Sequence, residues 1–497
     1  MNPRPYTKYL FLVFLFIYFI IVIRPWDLYF LNDDFLHIPF SPQAVWVHLF
    51  FFRPVANLLT AAELKLYGNN PAGFHFTSIL LHLVTSYLVT VLTNTLLKKY
   101  GQKVKYKQAG FITGCLFFIY PFHAEPLMWV IGRGGIIATF FYILSLLFYL
   151  KSTNRYHQIL SILFFIPALF TYEVSWTLPL VITVLAITDH YTTNKNLPST
   201  ISALLPHWIV FVLFLSIRFA SLHTVLTKYD FESRQLNALT LSANFFRLFA
   251  RTLVPPTQNS ALFIMGFLLV ITLLAGLIIY LKKKKQLSSI HLVIACSLCL
   301  SYLPVISLGM DTHGTEGERY LYLPSVFWLM LLVLLLYALS PAIKKTAIVT
   351  LFILYGYWLA NAAHAYLHAS HIAKKIIATI NPPTPVKKII ALNIPANYKG
   401  ALIYRMSFDD ALRWMRPSLK FDSLIAIPAA RTYEEIPDSL QIINNKDLPA
   451  TGLSFQITGT NSLVISYNDT KIPYAPKTDM LLFFPPHKPG IIIYPQP

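Results

Sequence analysis

The sequence predicts an all-α polytopic membrane protein with a small β-rich domain at its C-terminal end. Three observations predict it. Of 497 residues, 56% are hydrophobic and only 12% charged, more apolar surface than one soluble core of this size buries. The apolar residues gather in long runs with few charges, as bilayer-spanning helices require, because such helices satisfy their own backbone hydrogen bonds. Basic and acidic residues also segregate into alternate loops between those runs.

Apolar spans are expected near 9–23, 75–97, 109–121, 135–150, 157–170, 174–188, 203–220, 258–281, 288–309, 319–340 and 346–368, about eleven in all. The first follows Arg4 and Lys8 as a signal peptide would. No small-residue cleavage site comes after it, only Arg24-Pro25-Trp26-Asp27, so it reads as an uncleaved span. With the N-terminus cytoplasmic, the inner loops collect Lys98, Lys99, Lys103, Lys105 and Lys107, then Lys151 and Arg155, then Lys282 to Lys285, then Lys344 and Lys345. This is a positive-inside pattern. It accounts for the net charge of +19 by lysine clusters beside anionic lipid, which argues against a nucleic-acid partner.

Before residue 370 the acids do the opposite. Asp27, Asp33, Asp34, Glu63, Glu125, Glu173, Asp230, Glu232, Asp311, Glu316 and Glu318 fall outside and only Asp189 inside. Acidic residues contribute little to orientation, so the clustering predicts a shared polar cavity on the outer face. After residue 370 the chain becomes more charged. Asn381-Pro382-Pro383-Thr384-Pro385 closes the membrane part, 1–370, and the remainder, 371–497, alternates apolar and polar residues as half-buried strands do, with a short helix expected over Asp409 to Met415. The three cysteines, Cys115, Cys296 and Cys299, lie in apolar runs, and the Cys296-x-x-Cys299 pair has no second pair to complete a zinc site.

Four segments carry ionisable residues in places where they are costly unless paired or used. The first outer loop, 24–74, holds Asn32-Asp33-Asp34-Phe35 and Arg53-Pro54; adjacent carboxylates there serve as a general base or hold a divalent cation, or else cap a helix. The second is Tyr120-Pro121-Phe122-His123-Ala124-Glu125-Pro126 through Trp129, then Gly132-Arg133-Gly134-Gly135. Its plain alternative is an ion pair between Glu125 and Arg133. The third is Tyr172-Glu173, whose competing reading is polar glue between helices. The fourth runs from Asp311 to Pro324, where Arg319 beside Tyr320 suits a phosphate or anchors the helix at the interface.

In order and spacing these segments resemble the GT-C superfamily of integral-membrane glycosyltransferases, and within it the protein O-mannosyltransferase-like branch. The motifs are the Asp33-Asp34 pair, Arg53-Pro54 with a downstream Gly68-x-x-Pro71-x-Gly73-Phe74-His75 stretch, Pro121-x-His123-x-Glu125-Pro126-x-x-Trp129-x-x-Gly132-Arg133, the acidic turn at Glu173, and Arg319-Tyr320-Leu321-Tyr322-Leu323-Pro324. The resemblance covers about residues 1–365. It implies a GT-C-like fold and an inverting transfer from a polyprenyl-phosphate sugar to a hydroxyl of a glycan, lipid or protein. It also implies Asp33 or Asp34 as base and Arg319 as partner of the donor phosphate, with Arg133 a second candidate. His123, Glu125, Glu173 and Tyr320 would line the sugar or acceptor pocket. A divalent cation (Mg2+ or Mn2+) is compatible with the Asp pair, as is none. The chain departs from the branch at Gly134-Gly135, where an acidic residue is usual, at Tyr172-Glu173 in place of Lys-Glu, and in lacking tetratricopeptide repeats; sugar and acceptor therefore stay open. The composition suits a bacterial inner membrane with a periplasmic C-terminal domain. Competing classes are a lipid-linked saccharide transporter or flippase, which usually places charges near the midplane, and an O-antigen ligase or polymerase-like enzyme, which would rely on arginines rather than an Asp pair.

Overall fold

The computed structural model describes residues 5–49, 51–100, 106–151, 154–193, 197–225, 237–380, 386–428, 447–448, 453–457, 463–467, 470–475, 478–484 and 492–494. Asp230, Glu232, Lys103, Lys105 and the proline run at 381–385 lie outside the described residues.

The helices follow the apolar runs. In order they are α1 (Pro5–Ile23), α2 (Asp34–Phe40), α3 (Pro54–Tyr67), α4 (Pro71–Tyr100), α5 (Tyr106–Phe118), α6 (Ala124–Met128), α7 (Gly134–Leu150) and α8 (Arg155–Leu169). Then come α9 (Leu178–Thr193), α10 (Leu197–Leu222), α11 (Ala238–Leu253), α12 (Ser260–Lys283), α13 (Ser289–Ser301), α14 (Tyr322–Tyr337) and α15 (Pro341–Thr379). Every expected span overlaps one of them, yet among the described residues only six helices are long and apolar enough to cross a membrane. A seventh crossing results if the 107–118 and 121–128 helices, bent by 54° at their break, count as one. The shortfall from eleven has a geometric cause. At 1.5 Å per residue the 15 residues of α8 reach only about 22 Å of a roughly 30 Å hydrocarbon core. Pro121 likewise ends α5 early by starting a separate 3-10 turn.

Two compact units divide the chain. The first holds Met1–Pro25, Ser41–Gly68 and Gly73–Ala363. At its centre α14 is buried along nearly its whole length and packs against α5, α7, α11 and α13. Its periphery is greasy: α12 leaves Leu262, Ile264, Met265, Leu268 and Leu269 exposed, as a helix facing lipid would. Asp189 accepts from Lys99 Nζ at 2.6 Å and from Tyr100 at 2.5 Å, tying α9 to α4.

The second unit holds Trp26–Phe40, Asn69–Ala72 and His364–Pro497. The contiguous division expected at residue 370 thus falls inside α15, and part of the first outer loop joins the C-terminal domain. Asn32 N–H donates to the Ile403 carbonyl at 2.7 Å, and Met406 N–H donates back to Asn32 Oδ1 at 2.9 Å. Phe35 stacks on Tyr404, with ring centroids 5.5 Å apart. The domain is less purely β than the alternation suggested. Strand β1 (Lys388–Ile394) pairs in parallel with both β4 (Ser423–Pro428) and β9 (Asp479–Phe483), and β10 (Ile492–Tyr494) pairs antiparallel with β9. Strands β2 (Asn397–Tyr398) and β3 (Ala401–Leu402) form a hairpin, and helix α16 (Phe408–Met415) lies where a helix was expected. A second, antiparallel sheet orders β5 (Asp447–Leu448), β6 (Leu453–Ile457), β7 (Leu463–Tyr467) and β8 (Thr470–Tyr474).

Candidate functional site

In the first unit the loops assigned to the outer side meet around the head of α7. Each brings an arginine or a glutamate, and the side chains sort into buried or half-buried pairs.

Gly317 sits at φ +91°, a left-handed conformation open to glycine, and lets the chain turn into the short 3-10 helix Glu318–Leu321. That turn aims two backbone N–H groups at one carboxylate. Gly317 N donates to Glu125 Oε1 at 3.2 Å and Arg319 N to Glu125 Oε2 at 2.7 Å, while the Arg319 guanidinium pairs with the same carboxylate. The guanidinium lies 5.1 Å from the Trp129 ring centroid and 4.6 Å from that of Tyr320, whose hydroxyl accepts from Nη2 at 2.9 Å. Arg319 keeps 20% of its side chain exposed and Glu125 only 2%. The partner of Glu125 is therefore Arg319, and the local ion pair with Arg133 does not form.

Arg133 instead reaches Glu63 on α3. The pair is buried, and the guanidinium also donates to the Phe74 carbonyl and to Thr60 Oγ1, each at 3.3 Å. With 2% of its side chain exposed, Arg133 is committed to holding α3, α4 and α7 together and is not open to a donor phosphate. His123 is likewise turned into the core. It is fully buried, bonded through Nε2 to Ser325 Oγ at 2.9 Å and packed against Tyr322 and His82.

Glu173 opens the 3-10 turn Glu173–Thr177 after the extended Tyr172. It receives two arginines: Arg53 Nη2 at 2.8 Å on Oε2 and Arg218 Nη2 at 3.2 Å on Oε1. Arg53, at φ −136° and ψ 56°, is the non-helical residue just before Pro54, the first residue of α3. Its guanidinium lies 4.4 Å from the Tyr172 ring centroid and 4.7 Å from that of Phe51. Burial pushes the Glu173 carboxyl up, but Arg53 and Arg218 outweigh it and hold the group below the usual carboxylate range. A fully buried pair, Arg251 with Glu318 at 2.7 Å, anchors the turn next to Arg319 from behind.

These pairs share neighbours. A Cβ on Gly134 would stand 3.4 Å from the Tyr172 ring, and one on Gly135 would stand 3.1 Å from the Arg319 carbonyl oxygen. The two glycines that replace the usual acidic residue thus let α7 approach both segments closely. Sequence reasoning singled out Glu125, Glu173, Arg319 and Tyr320, which the fold gathers. It passed over Arg53, Arg218, Arg251 and Glu63 as site residues. A signal was present for Arg218, the one charged residue of α10, a helix otherwise without Asp, Glu, Lys or Arg.

The Asp pair belongs to the second unit. Asp34 is buried at the start of α2 and accepts from Leu31 N at 2.9 Å. Asp33 is half-buried, its Oδ1 accepting from Asn32 Nδ2 at 2.7 Å. Among the described residues no three His, Cys, Asp or Glu side chains gather as a metal site.

In its motifs, then, the chain resembles GT-C glycosyltransferases of the O-mannosyltransferase-like branch. Comparison with known proteins supplies particular relatives. Protein O-mannosyl-transferase TMTC2 of Mus musculus is 28% identical over 143 residues, 25% of this chain and 16% of that protein. The human TMTC1 O-mannosyl-transferase is 31% identical over 105 residues, 21% of this chain and 11% of that protein. The matched stretch is thus a small fraction of the relatives' length. The crystal structure of apo ArnT from Cupriavidus metallidurans aligns with a TM-score of 0.49 at 11% identity, over 84% of this chain and 88% of that one. No family model matches.

Proposed function

We propose that this chain is a membrane glycosyltransferase that moves a sugar from a polyprenyl-phosphate donor to an acceptor hydroxyl at the outer face, inverting the anomeric centre. The observation that carries the reading is the meeting of Arg319, Glu125, Tyr320, Arg53 and Glu173 in the first unit, in segments that resemble O-mannosyltransferase motifs. Inverting transfer needs a base on the attacking hydroxyl and positive charge for the departing phosphate. Asp33 is the base in this proposal: Asp34 is spent on its own turn, whereas Asp33 is half-buried, with Asn32 orienting one oxygen. Arg319 faces the donor phosphate, its fixed geometry set by Glu125 and by the Arg251–Glu318 pair behind it. The acceptor is a glycan, lipid or protein hydroxyl, and the C-terminal domain lies on the periplasmic side of an inner membrane.

The arginine-rich cluster favours one second reading, a ligase-like transfer that does without the Asp pair. Purified full-length protein, given polyprenyl-phosphate sugars and envelope extract, should form a new glycosidic bond, and Asp33→Asn should abolish it. An Asp33→Asn protein of full activity supports the ligase-like reading. Chelation during the same assay decides whether Mg2+ or Mn2+ takes part.

A further inference from the structure

Four glutamates of the first unit pair with arginines, and three of them are matched one to one: Glu125 with Arg319, Glu63 with Arg133, and Glu318 with Arg251. Glu173 is the exception. Both of its oxygens are taken, each by a different arginine, so one positive charge is left over. The two arginines hold the Glu173 carboxyl below the usual carboxylate range, so it is ionised at neutral pH and the count holds. An unmatched charge in a poorly solvated site is expensive unless an anion completes it.

The local donors point the same way. Among the described residues Arg53 Nε and Trp176 Nε1 are buried and make no hydrogen bond. Arg218, with 2% of its side chain exposed, is fixed by its Nε on the Val225 carbonyl at 3.0 Å and lies 5.2 Å from the Trp176 ring centroid. Arg53 and Glu173 keep 23% and 20% exposure, so the cluster can be reached from outside. Two guanidinium forks with spare donors match the tetrahedral oxygens of a phosphate better than a second carboxylate does.

We propose that Arg53 and Arg218, held by Glu173, form an anion clamp that takes the phosphate of the lipid-linked donor alongside Arg319. The inference rests on the glycosyl-transfer reading above. Within it, Glu173 tunes the clamp: it fixes the two arginines while cancelling half of their charge. That assignment predicts opposite effects for the two partners of one salt bridge, which a merely structural link would not give.

The test is binding of sugar-free polyprenyl monophosphate to the full-length protein in detergent, with uncharged polyprenol and phosphatidylglycerol as comparison ligands. Wild type should bind the polyprenyl phosphate and discriminate against the other two. Arg53→Gln should weaken binding about tenfold or more, the effect of losing one charge-assisted contact. Glu173→Gln should tighten it several-fold by releasing the second charge. Unchanged affinity in Arg53→Gln while Arg319→Gln loses binding overturns the clamp and leaves the glycosyl-transfer reading intact. Equal weakening in Arg53→Gln and Glu173→Gln also overturns it, since that is the signature of a structural bridge. If phosphatidylglycerol binds as well as polyprenyl phosphate, the site is a general lipid-headgroup site and the donor assignment falls. A wild type that binds no polyprenyl phosphate overturns the parent reading together with the clamp.

Discussion

Replacing Glu125 by glutamine removes the carboxylate on which the Arg319 turn is built. Oε1 takes Gly317 N–H and the Arg319 guanidinium, and Oε2 takes Arg319 N–H. An amide offers one oxygen. Keeping it at the first position turns the NH2 toward the Arg319 N–H; keeping it at the second turns the NH2 toward two donors. Either way a buried donor loses its acceptor, at about 1–3 kcal/mol, and the guanidinium loses its counter-charge. Because Arg319 is 20% exposed, water offsets part of the second effect. We expect a total of about 3 kcal/mol, or roughly a hundredfold fall in kcat/KM for the lipid donor. Aspartate should recover little, since its shorter side chain cannot span both N–H groups. The assay is initial-rate transfer by the purified protein in nanodiscs at varied donor concentration. A Glu125→Gln enzyme within threefold of wild type would refute the claim that this carboxylate sets Arg319.

Further outcomes follow from the same geometry. Either Arg133→Met or Glu63→Leu alone should destabilise the protein by about 3–5 kcal/mol, because each leaves a buried charge unpaired, whereas the double variant should recover most of the loss; thermal unfolding in detergent reads the cycle. Gly317→Ala forces a side chain into φ +91° and should lower kcat/KM through a strained Arg319 turn, with a backbone penalty of about 1 kcal/mol or more. Glu173 has a depressed folded-state pKa, so it stabilises the fold above its ordinary value of 4.5 and loses that contribution as pH falls through the lower folded value. Glu173→Gln should therefore flatten the acid limb of a melting-temperature profile below about pH 5.

Helix positions were legible because apolar runs are a local property of the chain. How far each helix reaches was not, since Pro121 and the short α8 depend on breaks that composition smooths over. That the acids of these loops would matter was legible in their clustering along the chain, and in the first unit Glu63, Glu125, Glu173 and Glu318 each pair with an arginine. Their pairing was not. Glu125 and Arg133 share one segment, yet each pairs across the fold, with Arg319 and with Glu63. Charge pairing is a tertiary property, and spacing along the chain says little about it. The strand alternation of the C-terminal part was visible, but its mixed sheet, ordered β10-β9-β1-β4 with β1 parallel to β4 and β9, joins distant segments. Nor could periodicity reveal that Trp26–Phe40, with Asp33 and Asp34, belongs to that domain, because the link is made of tertiary contacts: Asn32 with Ile403 and Met406, and Phe35 with Tyr404.

The most direct measurement uses the full-length protein in liposomes with a radiolabelled polyprenyl-phosphate sugar and an envelope acceptor fraction, followed by analysis of the labelled products. The account predicts a new glycosidic bond of inverted configuration that disappears in Asp33→Asn. Label that crosses the vesicle bilayer still attached to its lipid, with no new bond formed, would contradict it.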